Sequence, residues 1–461
     1  MNPTAQLLEP EVRDLIASGS YRELRDALSR LDPPDVADLL RQIDPGEASI
    51  AFRILPRDIA SDIFSNLDPD TQEALIGELG EAPALRLVES LDPDDRAALL
   101  DELPDQVARR LLTRLSPKDR RITQQILGYP DESVGRLMTP DYVRVRRTWT
   151  VGHALEHIRA YGRDAETIDW IYVIDDAGRL IDDLHIRRLL LAPPTETIES
   201  LMDERFIALK ASDDQEEAVR MMNRYDRSAL PVVDSRGVLL GIVTHDDVAD
   251  VAQEEATEDI HKLGGMEALE GSYTQTPIRE MLRKRGGILA ALLIAESLTV
   301  TVLGSFEDNL AAVAALIAFI PLIIASGGNT GTQGATLIVR ALSLEQVRPQ
   351  DWKGVLRKEL MTSLALGTLL GTIGFIEVLI FNAIGFIQTD VPMRIGTAVA
   401  LSMLAVVVWA SVVGSLFPLL VARLGFDPAA ISSPFVATLM DVTGLLIYMV
   451  TATVILHSVL P

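Results

Sequence analysis

The sequence predicts a multidomain α and α+β protein: an N-terminal α-helical superhelix, a duplicated α/β module, a connecting helix and a membrane domain of five helices. Three observations carry this. A leucine or isoleucine recurs every twelve residues from Leu31 to Leu115, one segment occurs twice with an offset of 64, and five apolar stretches follow Arg285. The expected boundaries are 1–128 for the superhelix, 129–195 and 196–253 for the two copies, 254–278 for the connecting region and 279–461 for the membrane domain.

In the first element, Leu31, Ile43, Leu55, Leu67, Leu79, Leu91, Leu103 and Leu115 stand at equal intervals, mostly followed by Asp-Pro or Pro. In the LDPD runs at Leu67 and Leu91 the aspartate is placed to N-cap a helix and the proline fits its first position. Each repeat then reads as one short helix that buries its apolar face only by stacking on its neighbours.

The second element pairs SVGRLM, from Ser133, with TIESLM, from Thr197, and later YVIDDAG, from Tyr172, with PVVDSRG, from Pro231. Each copy reads as strand, helix, strand, strand, helix, with alternating apolar positions in the strands. The run GIVTHDD keeps a Thr-x-x-Asp, Thr244 and Asp247; the first copy has Asp182 in place of the glycine and Arg188 in place of the aspartate.

The connecting stretch DDVADVAQEEATEDI, Asp246 to Ile260, aligns Asp247, Asp250, Glu254 and Glu258 along one helical face, with Glu255 and Asp259 beside them. Like charges four apart weaken a helix by about a few tenths of a kcal/mol each. A solvated face is the plain meaning of such a run. Between a regulatory-looking pair and the first span, with Gly264 and Gly265 as a hinge, it also suits divalent cations that draw acidic faces together.

The apolar stretches are 286–306, 310–341, 360–386, 395–422 and 431–457, each reaching the roughly 20 residues that cross a bilayer. Arg279, Arg283, Lys284 and Arg285 precede the first; Arg340, Arg348, Lys353, Arg357 and Lys358 separate the second from the third; Arg423 separates the fourth from the fifth. The opposite loops carry Glu307, Asp308 and Asp390 with only Arg394. Basic loops stay inside, so the expectation is a multi-pass protein of the plasma (inner) membrane, N-terminus cytoplasmic and C-terminus outside. No signal peptide is read at Met1 to Leu8.

The second stretch contains PLIIASGGNTGTQGATLIVR, Pro321 to Arg340. Small residues there suit helix–helix contact. The polar Asn329, Thr330, Thr332 and Gln333 on the same turns, with four glycines and a proline, favour instead a break that lines a watery path. The last stretch holds one acid, Asp441, and a mid-membrane carboxylate costs about 2.5–3.5 kcal/mol on insertion scales. No span offers it a base at comparable depth, and Glu296 and Glu377, the other acids within the expected spans, would repel it. A passing cation supplies the missing charge. Glu296 is a weaker candidate for the same path, and Glu377 reads as structural or near the outer surface.

Charge and composition narrow the chemistry. Residues 286–461 hold ten acids and seven bases, leaving 56 acids and 35 bases in residues 1–285, a net of −21 out of −24. Such acidity argues against nucleic acid as a partner. With no cysteine and one histidine in the spans, His457, oxygen ligands remain, which favours a hard ion such as Mg²⁺ or Ca²⁺.

GGNTGTQ at Gly327 to Gln333, ATLIVRAL at Ala335 to Leu342 and DPAAISSPFVATLMDVTG at Asp427 to Gly444 together resemble the signatures of the MgtE family of magnesium channels and transporters. The twelve-residue repeats are similar to that family's N-terminal domain and the duplicated module to tandem CBS domains. The resemblance implies a homodimer with a Mg²⁺ path on its two-fold axis. Asp441 of each subunit and the Ala437 carbonyl would hold the ion there, with Asn329, Gly328 and Gln333 lining the path. It implies further that cytosolic Mg²⁺ closes the path through a connecting, or plug, helix. The matching acids are Asp62, Asp94, Glu216, Asp226, Asp247, Asp250, Glu255, Glu258 and Asp259, with Ala98 where the family has another acid. Thr244 and Asp247 are a candidate adenine-nucleotide site, with ATP as a candidate regulatory ligand. The other readings are transport of another divalent ion such as Co²⁺ or Mn²⁺, a membrane-anchored Mg²⁺ sensor, and an intramembrane enzyme, for which no Ser/His pair or HExxH run is present.

Overall fold

The computed structural model describes residues 3–269, 273, 276–307, 313–431 and 433–457. Asp308 and residues 310–312 of the expected second span lie outside the described residues. Contacts divide the chain into two units, Met1–Glu255 and Ala256–Pro461.

The first unit opens with α1 (Pro3–Ala17) and α2 (Tyr21–Leu28), which precede the repeats. One helix per repeat follows: α3 (Pro33–Leu40), α4 (Pro45–Arg53), α5 (Arg57–Ser65), α6 (Pro69–Leu79), α7 (Glu81–Ser90), α8 (Pro93–Glu102), α9 (Asp105–Arg114) and α10 (Pro117–Ile126). The repeat positions Ile43 to Leu115 are all buried, because each ends one helix where its side chain reaches the common core. Helices pack on the second one along, α4 on α6 on α8 on α10 and α3 on α5 on α7 on α9, so the array has two layers. The two LDPD runs differ from each other. Asp68 caps α6 by accepting from Thr71 N at 3.0 Å, whereas Asp92 makes no side-chain cap to α8, contrary to expectation. Its carboxylate is instead among the acids described below.

The duplicated module has the expected order. The first copy comprises α11 (Val134–Leu137), β1 (Tyr142–Arg146), α12 (Val151–Tyr161), β2 (Thr167–Ile174), β3 (Leu180–His185) and α13 (Ile186–Leu191). The second comprises α14 (Ile198–Leu201), β4 (Leu209–Lys210), α15 (Gln215–Tyr225), β5 (Ala229–Val233), β6 (Leu239–Thr244) and α16 (His245–Leu263). In both sheets a parallel pair precedes an antiparallel one, β1-β2-β3 and β4-β5-β6. A shared core of Tyr172, Ile174, Leu180, Leu239 and Ile242 joins the copies, and Leu180 N and Leu239 N donate reciprocally to Gly237 O and Gly178 O.

The acidic connecting stretch is the outer part of α16, which is unbroken from His245 to Leu263, so position 254 falls inside one helix. Gly264 and Gly265 end it: Gly265 takes φ +75° and Met266 N donates back to His261 O.

Among its described residues the second unit holds five helices long and apolar enough to span: Ile278–Ser305, Ala314–Ser343, Pro349–Ala383, Pro392–Arg423 and Ser433–Leu456, termed the first to fifth spans. The second begins as a 3₁₀ turn, Ala314–Phe319, and continues as an α-helix over Ile320–Ser343. The expected break is therefore corrected. Pro321 sits in the helix's first turn, where it removes no bond, and Gly327 to Gly334 stay helical. The glycines serve contact: a Cβ on Gly327 would lie 2.8 Å from Val406, on Gly331 2.9 Å from Val436, and on Gly334 2.9 Å from Ser415 Oγ. A Cβ on Gly414 of the fourth span would lie 2.3 Å from Gly331 O, so the two backbones meet directly. The third span packs on the fourth, and the first on the fifth.

Candidate functional site

In the second unit, Gly328, Ala437 and Asp441 come together. A Cβ on Gly328 would stand 3.7 Å from the Ala437 Cβ and 4.0 Å from Asp441 Oδ1, ordinary van der Waals distances, so this position of the second span lies against Ala437 and the carboxylate. Asp441 is half-buried and forms no ion pair among the described residues; the charge that acts on it is Glu296 of the first span, another acid. Asn329 and Gln333, one turn apart, are both exposed on the second span, while Gly327, Gly328, Gly331 and Gly334 are buried. The helix thus presents amide side chains on its free face and glycines on its packed face. One acid in the third span was not anticipated: Glu359, which accepts from the buried Ser411 Oγ at 2.6 Å. The base-rich turn around it, Arg357 and Lys358, made it look like part of a loop. Glu377 is half-buried.

In the first unit a second acidic constellation forms between α8 and the start of α16. Asp94 is only 8 % exposed and its Oδ1 has no hydrogen-bond partner. Burial, then the charges of Asp247 and Asp95, raise the Asp94 carboxyl well above the ordinary range. Asp247 accepts a short 2.5 Å bond from Thr244 Oγ1; it too is raised, by burial and then by Asp246 and Asp95 against that bond. Asp95, bonded to Ser65 Oγ at 2.5 Å, is raised by burial and by Asp246 and Asp250. At the rim, withdrawal of the carboxylate from water and Glu254 push Glu102 up to about 7, and withdrawal with Asp92 and Asp247 does the same for Glu166. Asp92 is raised by burial and by Asp95, Asp141 and Asp62. Asp94 Oδ1 is thus a buried carboxylate oxygen without a partner amid acids, although among the described residues no three of them stand together closely enough to hold a metal ion. Asp95, Glu102 and Glu166 were not in the expected set, because their proximity to α16 is set by folding over many residues rather than by spacing.

The remaining expected acids are placed more loosely. Asp62 is exposed on α5, its carbonyl accepting from Asn66. Glu216 lies in the first turn of α15, its N–H donating to Asp214, and Asp226 ends that helix at φ +51°. Both are exposed. Glu255 accepts from Gln215 Nε2 at 2.7 Å. Ala98 is exposed on α8. In the second unit Lys262 Nζ bridges Glu258 and Asp427, both at 2.8 Å. Asp259 is raised by burial and then by Asp427, against Lys262.

The Thr-x-x-Asp of the second copy is intact in sequence, but its two members bond to each other and Asp247 belongs to the acidic constellation. In the first copy Asp182 is fully buried and accepts from the N–H groups of Asp183, Asp203 and Glu204, at 2.8, 2.8 and 3.1 Å. Arg188 pairs with Asp203 at 3.7 Å.

The profile described as "Divalent cation transporter" (MgtE) matches residues 320–451, the MgtE intracellular N domain matches 31–132, and the CBS domain matches 134–194 and 198–254. The magnesium transporter MgtE of Thermus thermophilus is 41 % identical over 331 residues, 72 % of each chain. The chain belongs to the MgtE family of magnesium transporters. The magnesium transporter MgtE of Bacillus subtilis is 32 % identical over 346 residues, 73 % of each chain. Among solved structures, the cytosolic domain of the Mg²⁺ channel MgtE in complex with ATP aligns with 53 % of this chain and 100 % of its own, at 34 % identity and a TM-score of 0.51. The soluble part of a magnesium transporter aligns with 55 % of this chain and 99 % of its own, at 25 % identity and a TM-score of 0.51. These MgtE relatives are named as magnesium transporters.

Proposed function

We propose that this MgtE-family chain is a homodimeric, Mg²⁺-selective channel or transporter of the plasma membrane that moves Mg²⁺ into the cytoplasm and is closed by cytosolic Mg²⁺. The observation that supports it most is the meeting of Gly328, Ala437 and Asp441 beside an outward face bearing Asn329 and Gln333. Amides left facing hydrocarbon are costly, so this face calls for water or a second copy of itself. A two-fold axis along it would bring two Asp441 carboxylates and two Ala437 carbonyls around one path. Mg²⁺ keeps several of its waters, and outer carboxylates with carbonyls suit a hydrated ion.

Gating follows from the first unit. With Mg²⁺ bound, Asp94, Asp247 and Asp250 lose their repulsion and α8 stays docked on α16; without it the acids push apart. Ions stabilise the state that gathers carboxylates. Asp62, Glu216, Asp226, Glu255, Glu258 and Asp259 are read as contributors from the same surfaces or across the dimer, with 254–278 as the connecting segment and the N-terminus cytoplasmic. ATP, held by the related cytosolic domain, is the candidate second regulator, acting on the CBS pair. The test is Mg²⁺ flux into liposomes with and without Mg²⁺ on the side of the first unit. Flux that is equal in both discards the gating, and uptake that survives Asp441→Ala discards the path. Co²⁺ or Mn²⁺ moving as readily as Mg²⁺ discards the selectivity, and absence of any flux leaves a sensor.

A further inference from the structure

At the seam between the CBS copies, Trp170 at the middle of β2 is half-buried, with the His185 ring edge-on at 5.1 Å. Arg227, just beyond α15 of the other copy, lies over its indole with Cζ 3.5 Å from the ring centroid. The same guanidinium pairs with Asp183 at 3.2 Å and donates a second contact to it at 3.3 Å. The side chains of Arg227 and Asp183 are 13 % and 4 % exposed, so the pair is largely out of water.

We infer that this seam is a base-stacking site that the chain holds shut with its own Arg227. The inference rests on the reading of the CBS pair as a nucleotide-responsive module. An indole face accepts either a guanidinium or a nucleobase, since both are flat and stack on the π surface. Here the face is taken. A purine must lift Arg227 away, and that strands Asp183 as a buried charge without its partner. The surrounding residues reinforce the closure. Asp182, where the second copy has Gly241, uses its carboxylate on three backbone N–H groups, and Arg188 is engaged with Asp203. Neither offers a free carboxylate to a ribose. Arg227 is therefore an internal occupant, and an adenine nucleotide binds this seam only in competition with it.

Equilibrium dialysis of labelled ATP against the full-length protein in detergent, with EDTA present, tests this. The expected result is at least tenfold tighter binding to Arg227→Ala/Asp183→Asn than to the unaltered protein. The paired change leaves no stranded charge and guards against a failure to fold; Arg227→Lys, which keeps a cation for Asp183, should bind as weakly as the unaltered chain. Adding Trp170→Ala to the double variant should abolish the gain. Unaltered protein that binds ATP as tightly as the double variant would overturn the role of Arg227. A gain that survives Trp170→Ala would overturn the stacking face, and no binding by any variant would overturn the nucleotide reading itself. The readout is independent of ion flux, so none of these outcomes bears on Mg²⁺ transport.

Discussion

Replacing Asp94 by asparagine should change how Mg²⁺ binding depends on pH. Asp94 is raised by burial and by Asp247 and Asp95, and Asp247 is raised to about 7 by burial and by Asp246 and Asp95, so the metal-free site still holds a proton near neutrality. Mg²⁺ binds carboxylates, so it must expel that proton. The affinity should then rise about tenfold per pH unit between pH 6 and 7, the slope set by one proton released. The rim acids Glu102 and Glu166, each near 7, are about half protonated at pH 7 and steepen the slope further. The sign for the metal-free protein is opposite. The folded state holds protons that the unfolded chain has already lost above its ordinary carboxyl pKa, so its stability falls as pH rises through the raised values. Calorimetric titration with Mg²⁺ in buffers of different ionisation enthalpy counts the protons directly. In Asp94→Asn one group that must give up a proton is removed, so fewer protons are released and the slope becomes shallower, while the volume of the side chain is kept. An affinity independent of pH in the unaltered protein, or an unchanged slope in the variant, would refute proton release at this site.

Three further outcomes are expected from packing. Gly414→Ala places a methyl 2.3 Å from Gly331 O and should cost about 1–3 kcal/mol, seen as a lower melting midpoint in detergent. Arg96, 3 % exposed, donates to Thr123 Oγ1 and the Leu91 carbonyl and faces Asp119; Arg96→Ala should cost about 3 kcal/mol in denaturant unfolding, and a change under 1 kcal/mol would contradict its bridging of α8 and α10. Asp68→Ala should cost about 1 kcal/mol by removing a cap, while Asp92→Ala, which loses no cap bond, should not destabilise α8 in this way.

Much of the fold was legible because it is periodic or duplicated. Leucines twelve apart announce one helix per repeat, and the two copies of the α/β module corroborate each other's strands. Asp441 stood out because an acid within an apolar run is costly, and the structure brings it beside Gly328 and Ala437. The second span shows where such reasoning fails. Glycines that weaken an isolated helix also let two helices touch, and composition does not distinguish the two; the meeting of Gly331 with Gly414 depends on a helix some eighty residues later. Asp95, Glu102 and Glu166 escaped for a related reason, since tertiary folding alone brings them towards α16. Arg227 and Trp170 belong to different copies of the repeat, and neither copy alone reveals that they stack.

The contact between Gly331 and Gly414 has a mechanical side. Two backbones in direct touch have no rotamers to rearrange between them, so this joint has little slack along which the second span could turn or slide. Movement of the second span is therefore easier on its opposite flank, where Asn329 and Gln333 are exposed, with the glycine seam as its fixed side.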